Sequence, residues 1–437
     1  MTFNIVRAAI GLCVIIGVAV VCSKDRASIN WRLVGSGLLL QLILGYMMLT
    51  VPWMFDGLQV IGRGFSALLS FAGKGGQFVF GGLGRNSFID PLANHQMGFI
   101  FAFQVFPTII FYSALTAALY YLGILQRVVG AFAWVLARTL RLSGPESVSA
   151  SANVFLGQTE APLLVRPFIA NMTRSELLCL MTVGMATVTG ATMAVYMSML
   201  GGASAAEQVK FATFLLSASI MNVPGAIILS KILLPEDPKH VVDVHCHIDN
   251  KKLGANLVDA ISNGAADGVK LAANIGAMLI AFIALIALVN SLCGTIGSLT
   301  GLNTFIQAST HGVYSGLSLE YLLGRGFQAF AYLIGVDWSE SLQVGSLLGT
   351  KTVLNEFIAY GQLSQMKAVG SLSDRAIMIS TYALCGFSNI SSVAILIGGV
   401  GSMAPNQKVN LSILGMRGLL GASLACLMSA TIAGALL

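Results

Sequence analysis

Long runs of apolar residues alternate with short polar stretches along the whole chain. A helix needs about 20 apolar residues to cross the hydrocarbon core of a bilayer, which is ~30 Å thick. Runs of that length predict eight transmembrane helices, near residues 4–22, 33–54, 97–122, 177–200, 211–234, 271–292, 376–400 and 411–436. The pattern is typical of an all-α polytopic membrane protein.

Residues 123–142 are apolar on one face only. Arg127, Arg138 and Arg141 interrupt the apolar pattern at helical spacing. Such a helix is expected to lie in the membrane interface with its basic side chains in water. The alternative is a tilted ninth span.

Two further apolar segments, residues 145–171 and 341–370, have polar centres. At ~1.5 Å per residue, the first could form about 40 Å of helix, enough to reach the bilayer midplane and return. Non-helical backbone at that depth requires a surrounding cavity or protein. We therefore predict two re-entrant helical hairpins, the first folded at 157–162. The polar residues are Asn153, Gln158, Thr159 and Glu160 in the first hairpin, and Lys351, Asn355 and Glu356 in the second.

Each predicted hairpin is followed by a span with a weak centre, at 187–190 and at 386–389. Glu160 precedes Gly190 by 30 residues, and Glu356 precedes Gly386 by the same distance. This spacing indicates an internal repeat of a hairpin, a broken helix and a further span.

The basic residues orient this repeat. With the N-terminus outside, more than half of the 24 Lys and Arg residues fall on the cytoplasmic side, as the positive-inside rule requires. The first hairpin then enters from the cytoplasm and the second from outside. Inverted repeats of this kind bind solute near the midplane.

The chain is accordingly divided into five parts. These are residues 1–95 with two spans and an outer interfacial segment, 96–142 with a scaffold span and an inner interfacial helix, 143–240 with the first repeat, 241–325 with a cytoplasmic loop, a scaffold span and an outer interfacial helix, and 326–437 with the second repeat.

Composition strengthens the membrane interpretation. Hydrophobic residues make up 56% of the chain and charged residues 10%, whereas soluble domains are about one quarter charged. The net charge of +6 comes from scattered residues, which argues against a nucleic-acid surface. The seven cysteines are widely spaced and contain no CxxC, so we expect packed thiols.

Carboxylates inside a membrane are costly and are functional candidates by default. Glu160 and Glu356 meet that description, although either could instead be a structural partner of hairpin backbone or of Lys351. Side chains at equivalent depths offer donors and acceptors to a solute with hydroxyls and ring nitrogens. They are Gln158, Thr159, Asn389, Ser391 and Ser392, with Phe387 as a flat aromatic face.

Oxygen ligands for a sodium ion are available at the first hairpin and helix break. Freed main-chain carbonyls at half-helix ends are the usual device. The candidates are Asn153, the carbonyl of Leu156, Thr187 and Val188.

Enzymatic signatures are missing from the sequence. There is neither an HExxH nor a GxSxG pattern, so we expect no enzyme. A polar loop could bind metal, but a solvated cytoplasmic loop is the favoured interpretation. Its residues are His240, Asp243, His245, Cys246, His247 and Asp249.

Several segments together resemble the concentrative nucleoside transporters. They are 103–111 (FQVFPTIIF), 119–123 (LYYLG), 157–167 (GQTEAPLLVRP), 355–357 (NEF) and 385–392 (CGFSNISS). The resemblance runs from about Gly98 to the C-terminus, and the length is similar to that of the bacterial members.

The resemblance implies a homotrimer in which the third and sixth spans form a scaffold. The hairpins and broken helices would move as a transport domain, in elevator fashion. It assigns base contacts to Gln158, Thr159 and Glu160. Ribose contacts fall on Glu356, Asn389 and Ser392, with Phe387 near the base. The sodium ligands would be Asn153, Leu156, Thr187 and Val188, where Thr187 keeps the hydroxyl of the serine expected in some relatives.

We therefore expect a sodium–nucleoside symporter in a bacterial cytoplasmic (inner) membrane. Its partners would be nucleosides such as uridine and adenosine, membrane lipid and two further copies of the chain, and no nucleic acid. The alternative is a proton-coupled nucleoside symporter, with Glu160 or Glu356 carrying the proton. A channel would need a continuous polar pore, which the paired hairpins argue against.

Overall fold

The computed structural model describes residues 2–84, 100–202, 204–237 and 254–436. Every regular element in these ranges is helical, which confirms the all-α prediction. In the first half these elements are α1 Thr2–Val21, α2 Trp31–Thr50, α3 Pro52–Phe80, α4 Phe101–Tyr121, α5 Ile124–Leu140, α6 Gly144–Ala152, α7 Arg166–Ile169, α8 Arg174–Ala186, α9 Gly190–Gly201 and α10 Ala205–Leu233.

In the second half the described helices are α11 Leu257–Thr300, α12 Leu302–Ser309, α13 Leu319–Leu333, α14 Trp338–Val353, α15 Glu356–Ala368, α16 Asp374–Leu384, α17 Ile390–Met403 and α18 Lys408–Leu436. Short 3₁₀ turns lie at Gly81–Gly84, Ala161–Val165 and Pro405–Gln407.

Helices long and apolar enough to cross a membrane number seven among the described residues, counting α8 and α9 as one broken span. The seventh predicted span, near 376–400, is divided between α16 and α17, so neither half reaches spanning length alone. The number of actual membrane crossings stays a prediction.

Several predicted boundaries shift. The second span ends at Thr50 rather than at 54, because Pro52 begins α3 and a proline favours the first turn of a helix. The sixth span is much longer than 271–292, since α11 begins at Leu257. The division proposed between 325 and 326 falls inside α13.

Helices α10 and α18 form the centre of the molecule. They pack against each other, and both contact α2, α8 and α16. The most hydrophobic part of α10 is 94% buried. Both broken helices, α8–α9 and α16–α17, therefore pack against this buried centre.

The first hairpin is asymmetric. Helix α6 begins with a capping box between Ser143 and Glu146, and residues 153–160 form the irregular turn before the 3₁₀ segment at Ala161. The turn is thus earlier and longer than the predicted fold at 157–162. Pro162 and Pro167 lie in the returning arm, where missing N–H groups disfavour a continuous α-helix.

The second hairpin is regular. Helices α14 and α15 pack together and are separated by Leu354 and Asn355 alone. Asn355 caps α15, its side chain accepting from the backbone N–H of Ile358 at 3.0 Å. Glu356 is consequently the first helical residue after the turn.

Helices α4 and α11 pack along each other through small residues. A methyl group added at Gly268 would lie 2.7 Å from the Cα of Ile110, so the two backbones are in close contact. Only 11% of the most apolar part of α11 is buried within the chain. This pair therefore presents a large apolar surface outward.

Candidate functional site

The two helix breaks lie directly against each other. The backbone N–H of Phe387 donates to the carbonyl of Thr187 at 3.4 Å. Gly386 has a φ of +146°, and a Cβ there would lie 2.6 Å from the carbonyl oxygen of Ala186. A glycine is required at this crossing by both conformation and space.

Glu356 is the centre of the polar cluster at the second break. Its side chain is 3% exposed. Asn389 donates to its Oε2 at 2.6 Å, and the hydroxyl of Tyr196 donates to its Oε1 at 3.2 Å. Since both Glu356 and Asn389 stand at helix N-termini, the partial positive charge there also stabilises the carboxylate.

Asn389 caps α17 while holding Glu356. Its Oδ1 accepts from the backbone N–H of Ser392 at 2.8 Å and from the hydroxyl of Ser391 at 2.6 Å. One carboxamide therefore fixes the start of the helix and the orientation of the carboxylate. Glu356, Asn389 and Ser392, predicted to contact ribose, are brought together.

Lys351 is not the partner of Glu356. Its ammonium group is buried and donates to the carbonyl of Ala383 at 2.9 Å. That carbonyl belongs to the last turn of α16, where backbone carbonyls have no donor within the helix. The lysine thus ties the second hairpin to the second broken helix.

The turn of the first hairpin lies on the first helix break. The backbone N–H of Gly190 donates to the carbonyl of Phe155 at 3.4 Å. A Cβ at Gly157 would lie 2.9 Å from the Cγ2 of Thr189. Leu156, between these two contacts, is consequently held beside residues 187–190.

Two unpartnered oxygens lie at the same junction. Asn153 is fully buried; its Nδ2 donates to the carbonyl of Ser149 at 2.9 Å. Its Oδ1, like the Oε1 of Gln158, has no hydrogen-bond partner among the described residues. Both side chains pack against Gly184, where a Cβ would lie 3.7 Å from the Asn153 oxygen and 3.2 Å from the Cβ of Gln158.

The hydroxyl of Thr187 donates to the carbonyl of Val183 at 2.9 Å. Its oxygen lone pairs remain able to coordinate a cation. Thr187 and Val188 are both buried. The four residues predicted to bind sodium are Asn153 and Leu156 in the first hairpin and Thr187 and Val188 in the first helix break. They therefore lie on the two sides of one contact. An orphaned buried amide oxygen fits a hard cation, which prefers oxygen ligands.

The remaining predicted base contacts occupy the end of the hairpin turn. Thr159 reaches α17, because a Cβ at Gly399 would lie 3.0 Å from its Cγ2. Glu160 is exposed, with its Oε2 accepting from the backbone N–H of Gly157 at 3.3 Å. Phe387 is 9% exposed.

The sequence does not point to Tyr196, which donates to Glu356, or to Asn222, which donates to the carbonyls of Ala186 and Cys385 at the two breaks. Both lie within apolar helices, and their partners are more than 30 residues away along the chain, so helical periodicity gives no signal for them. The polar loop containing His240, His245, Cys246 and His247 lies outside the described residues.

Family comparison identifies this architecture. A family model described as "Na+ dependent nucleoside transporter C-terminus" matches residues 214–434, and the corresponding N-terminal model matches 10–83. A third, described as "Nucleoside recognition", matches 102–203. The similarity therefore extends well before Gly98, where the sequence motifs began.

Individual relatives agree over nearly the full chain. An "Uncharacterized transporter" of Haemophilus influenzae is 38% identical over 99% of this chain and 97% of its own. "Nucleoside permease NupC" of Helicobacter pylori is 36% identical over 99% and 98%. The structure of CNTnw in an inward-facing substrate-bound state superposes with a TM-score of 0.87 at 37% identity, covering 99% of this chain and 98% of that one.

Proposed function

The chain belongs to the Na+-dependent nucleoside transporter family, and from that premise we propose how its own residues bind nucleoside and sodium. It is a multi-pass membrane transporter, not an enzyme, and sodium is its coupling ion. The proton-coupled alternative is not favoured. A bacterial inner membrane fits its similarity to the bacterial permease.

The nucleoside site spans the two breaks. Glu356, Asn389 and Ser392 bind the ribose hydroxyls, since a carboxylate and a carboxamide together offer acceptors and donors in fixed geometry. Gln158, Thr159 and Glu160 contact the base, with Phe387 against its ring. The unpartnered Oε1 of Gln158 supports this assignment, because an acceptor there suits a ring N–H or an amino group.

The sodium site joins the first hairpin to the first break. Asn153 supplies its orphaned side-chain oxygen, Thr187 its hydroxyl oxygen, and Leu156 and Val188 their main-chain carbonyls. The burial of Asn153 is the observation that carries this proposal, since a buried acceptor without a partner is destabilising by about 1–3 kcal/mol. A bound cation relieves that penalty.

The protein works as a homotrimer with an elevator-type motion. The exposed apolar faces of α4 and α11 fit both a subunit interface and contact with lipid, whereas the hairpins and broken helices pack around α10 and α18. Uridine and adenosine are the nucleosides we expect it to carry. Native mass spectrometry of protein extracted in a mild detergent would give a trimer, and a monomer would contradict the subunit interface.

The sodium site is tested by calorimetric titration of purified protein with uridine, in sodium and in choline. Sodium tightens uridine binding to the wild type, whereas Asn153→Ala binds uridine weakly and equally in both salts. Asn290→Ala, which removes a carboxamide that donates to Glu320 at 2.9 Å, is the matched control and keeps the sodium effect. An Asn153→Ala protein that still responds to sodium would refute the site.

A further inference from the structure

A single carboxamide in α10 holds both helix breaks. Asn222 is fully buried, and its Nδ2 lies 2.7 Å from the carbonyl oxygen of Ala186 and 2.7 Å from that of Cys385. Ala186 is the last residue of α8, and Cys385 directly follows α16. Carbonyls at helix ends lack intrahelical donors, and this one carboxamide supplies a donor at each break. The weaker thiol donor of Cys426 in α18 also contacts both carbonyls, at 3.1 Å from Cys385 and 3.7 Å from Ala186.

The orientation of this amide is fixed by its partners. Carbonyl oxygens only accept, so the NH₂ group must face both of them, each hydrogen directed to one carbonyl. The Oδ1 of Asn222 has no hydrogen-bond partner among the described residues. The side chain, which belongs to α10, therefore bridges the two breaks through its two hydrogen bonds.

The two carbonyls belong to residues that closely precede two different proposed ligand sites. Ala186 is followed by Thr187 and Val188, which we assigned to sodium. Cys385 stands shortly before Phe387 and Asn389, which we assigned to nucleoside. The direct main-chain bond from Phe387 to Thr187 is long, at 3.4 Å, so the two bonds through Asn222 are the shorter connection.

We propose that Asn222 is a positioning residue that couples sodium binding to nucleoside binding by fixing the two helix breaks relative to each other. The proposal rests on the sodium and nucleoside sites described above. Sodium orders the first break, and Asn222 transmits that order to the backbone that carries Phe387 and Asn389. Asn222 itself touches neither ligand.

The coupling factor distinguishes this role from a purely structural one. Uridine affinity is measured with and without sodium, and sodium affinity with and without uridine, on purified full-length protein. In the wild type the two ratios agree, within the range of about 5- to 150-fold typical of coupled sites. In Asn222→Ala both ratios fall to about twofold or less, while each ligand still binds alone.

Ser341→Ala is the matched control. It removes a buried hydrogen bond of 3.1 Å from Gln328 to Ser341, which joins α13 to the first turn of α14, and it should keep the wild-type coupling factor. Loss of a structural hydrogen bond lowers thermal stability or the affinities for both ligands. It does not by itself change the factor by which one ligand tightens the binding of the other.

Wild-type coupling retained in a folded Asn222→Ala protein overturns the inference and leaves the binding sites standing. A wild type with no mutual effect of sodium and uridine instead overturns the sodium site proposed above. If Asn222→Ala does not fold, Asn222→Ser is used, because its hydroxyl has one hydrogen and can hold only one of the two carbonyls. Coupling in Asn222→Ser is then reduced, and a value equal to the wild type refutes the proposal.

Discussion

At the scale of single residues, Glu356 lies in a closely packed polar environment. It is buried, stands at a helix N-terminus and accepts from Asn389 and Tyr196. These two bonds give each of its carboxylate oxygens a donor. A carboxylate stabilised in this way is available to accept from ribose hydroxyls.

Glu356→Gln should weaken uridine binding by about 1.5–3 kcal/mol, the range for hydrogen bonds to charged groups. The carboxamide can still accept, but it loses the charge that strengthens the bond. Equilibrium binding of uridine to the purified variant measures the effect.

The matched control is Glu340→Gln, in the first turn of α14. Glu340 accepts from the hydroxyl of Ser373 at 2.9 Å and lies outside the proposed nucleoside site. Its variant should bind uridine as the wild type does. Unchanged uridine affinity in a folded Glu356→Gln protein would exclude the ribose role.

Residue types at helix breaks could be predicted from the sequence, but their partners could not. Glu356 and Asn389 are adjacent in space, as the resemblance implied. Lys351, a possible partner of Glu356 by proximity in sequence, instead binds Ala383. Tyr196 and Asn222 became visible only in the fold, because tertiary hydrogen bonds leave no periodic pattern.

At the scale of elements, the first hairpin is anchored by a buried ion cluster. Lys231, near the end of α10, lies 2.5 Å from Glu146 in the first turn of α6 and 3.2 Å from Glu236. It also donates to the hydroxyl of Ser175 at 3.1 Å. Three helices therefore meet at this one ammonium group.

Lys231→Met should lower the free energy of unfolding by about 3–5 kcal/mol, because removal of the lysine leaves the buried carboxylate of Glu146 uncompensated. The double variant Lys231→Met/Glu146→Gln should lose less than the two single effects combined, since the residues act as a pair. Thermal or denaturant unfolding in detergent measures both.

Lys270→Met provides the comparison. Its pair with Asp267, at 3.0 Å, is 75% and 72% exposed, so its loss should change stability by about 0–1 kcal/mol. Equal stability of Lys231→Met and Lys270→Met would show that the buried cluster does not anchor the hairpin.

Both helix breaks were located correctly by the sequence to within one or two residues, because threonine, glycine and asparagine interrupt apolar runs there. The two hairpins differ more than their repeat suggested. The first returns through a 3₁₀ turn and a four-residue helix, whereas the second has two full helices. The prolines of the first arm explain this difference.

The inverted orientation of the hairpins can be tested by labelling single cysteines in a background without native cysteines. Asn171 and Ser371 are exposed residues in the loops that follow the first and second hairpins. Asn171→Cys should react with a membrane-impermeant maleimide only from the cytoplasm, and Ser371→Cys only from outside. Labelling of both from one side would contradict the inverted repeat.

At the scale of the whole molecule, a central pair of helices carries two inward hairpins and two broken helices. The turns of the hairpins and the two breaks converge on one polar region. Sequence pattern predicted the hairpins and the broken helices, because interrupted spans and carboxylates are conspicuous in a membrane chain, but it did not predict the central pair. It could not place α3, α12 and α13 in detail, since their amphipathic faces fit several neighbours.

The central claim is that uptake of nucleoside is driven by sodium. The most direct measurement is accumulation of radiolabelled uridine in proteoliposomes containing the purified protein, under an inward sodium gradient or an inward proton gradient in choline. We predict accumulation above the external concentration with sodium, abolished when sodium is equal on both sides. Accumulation driven by the proton gradient without sodium, and indifferent to sodium, would contradict the account.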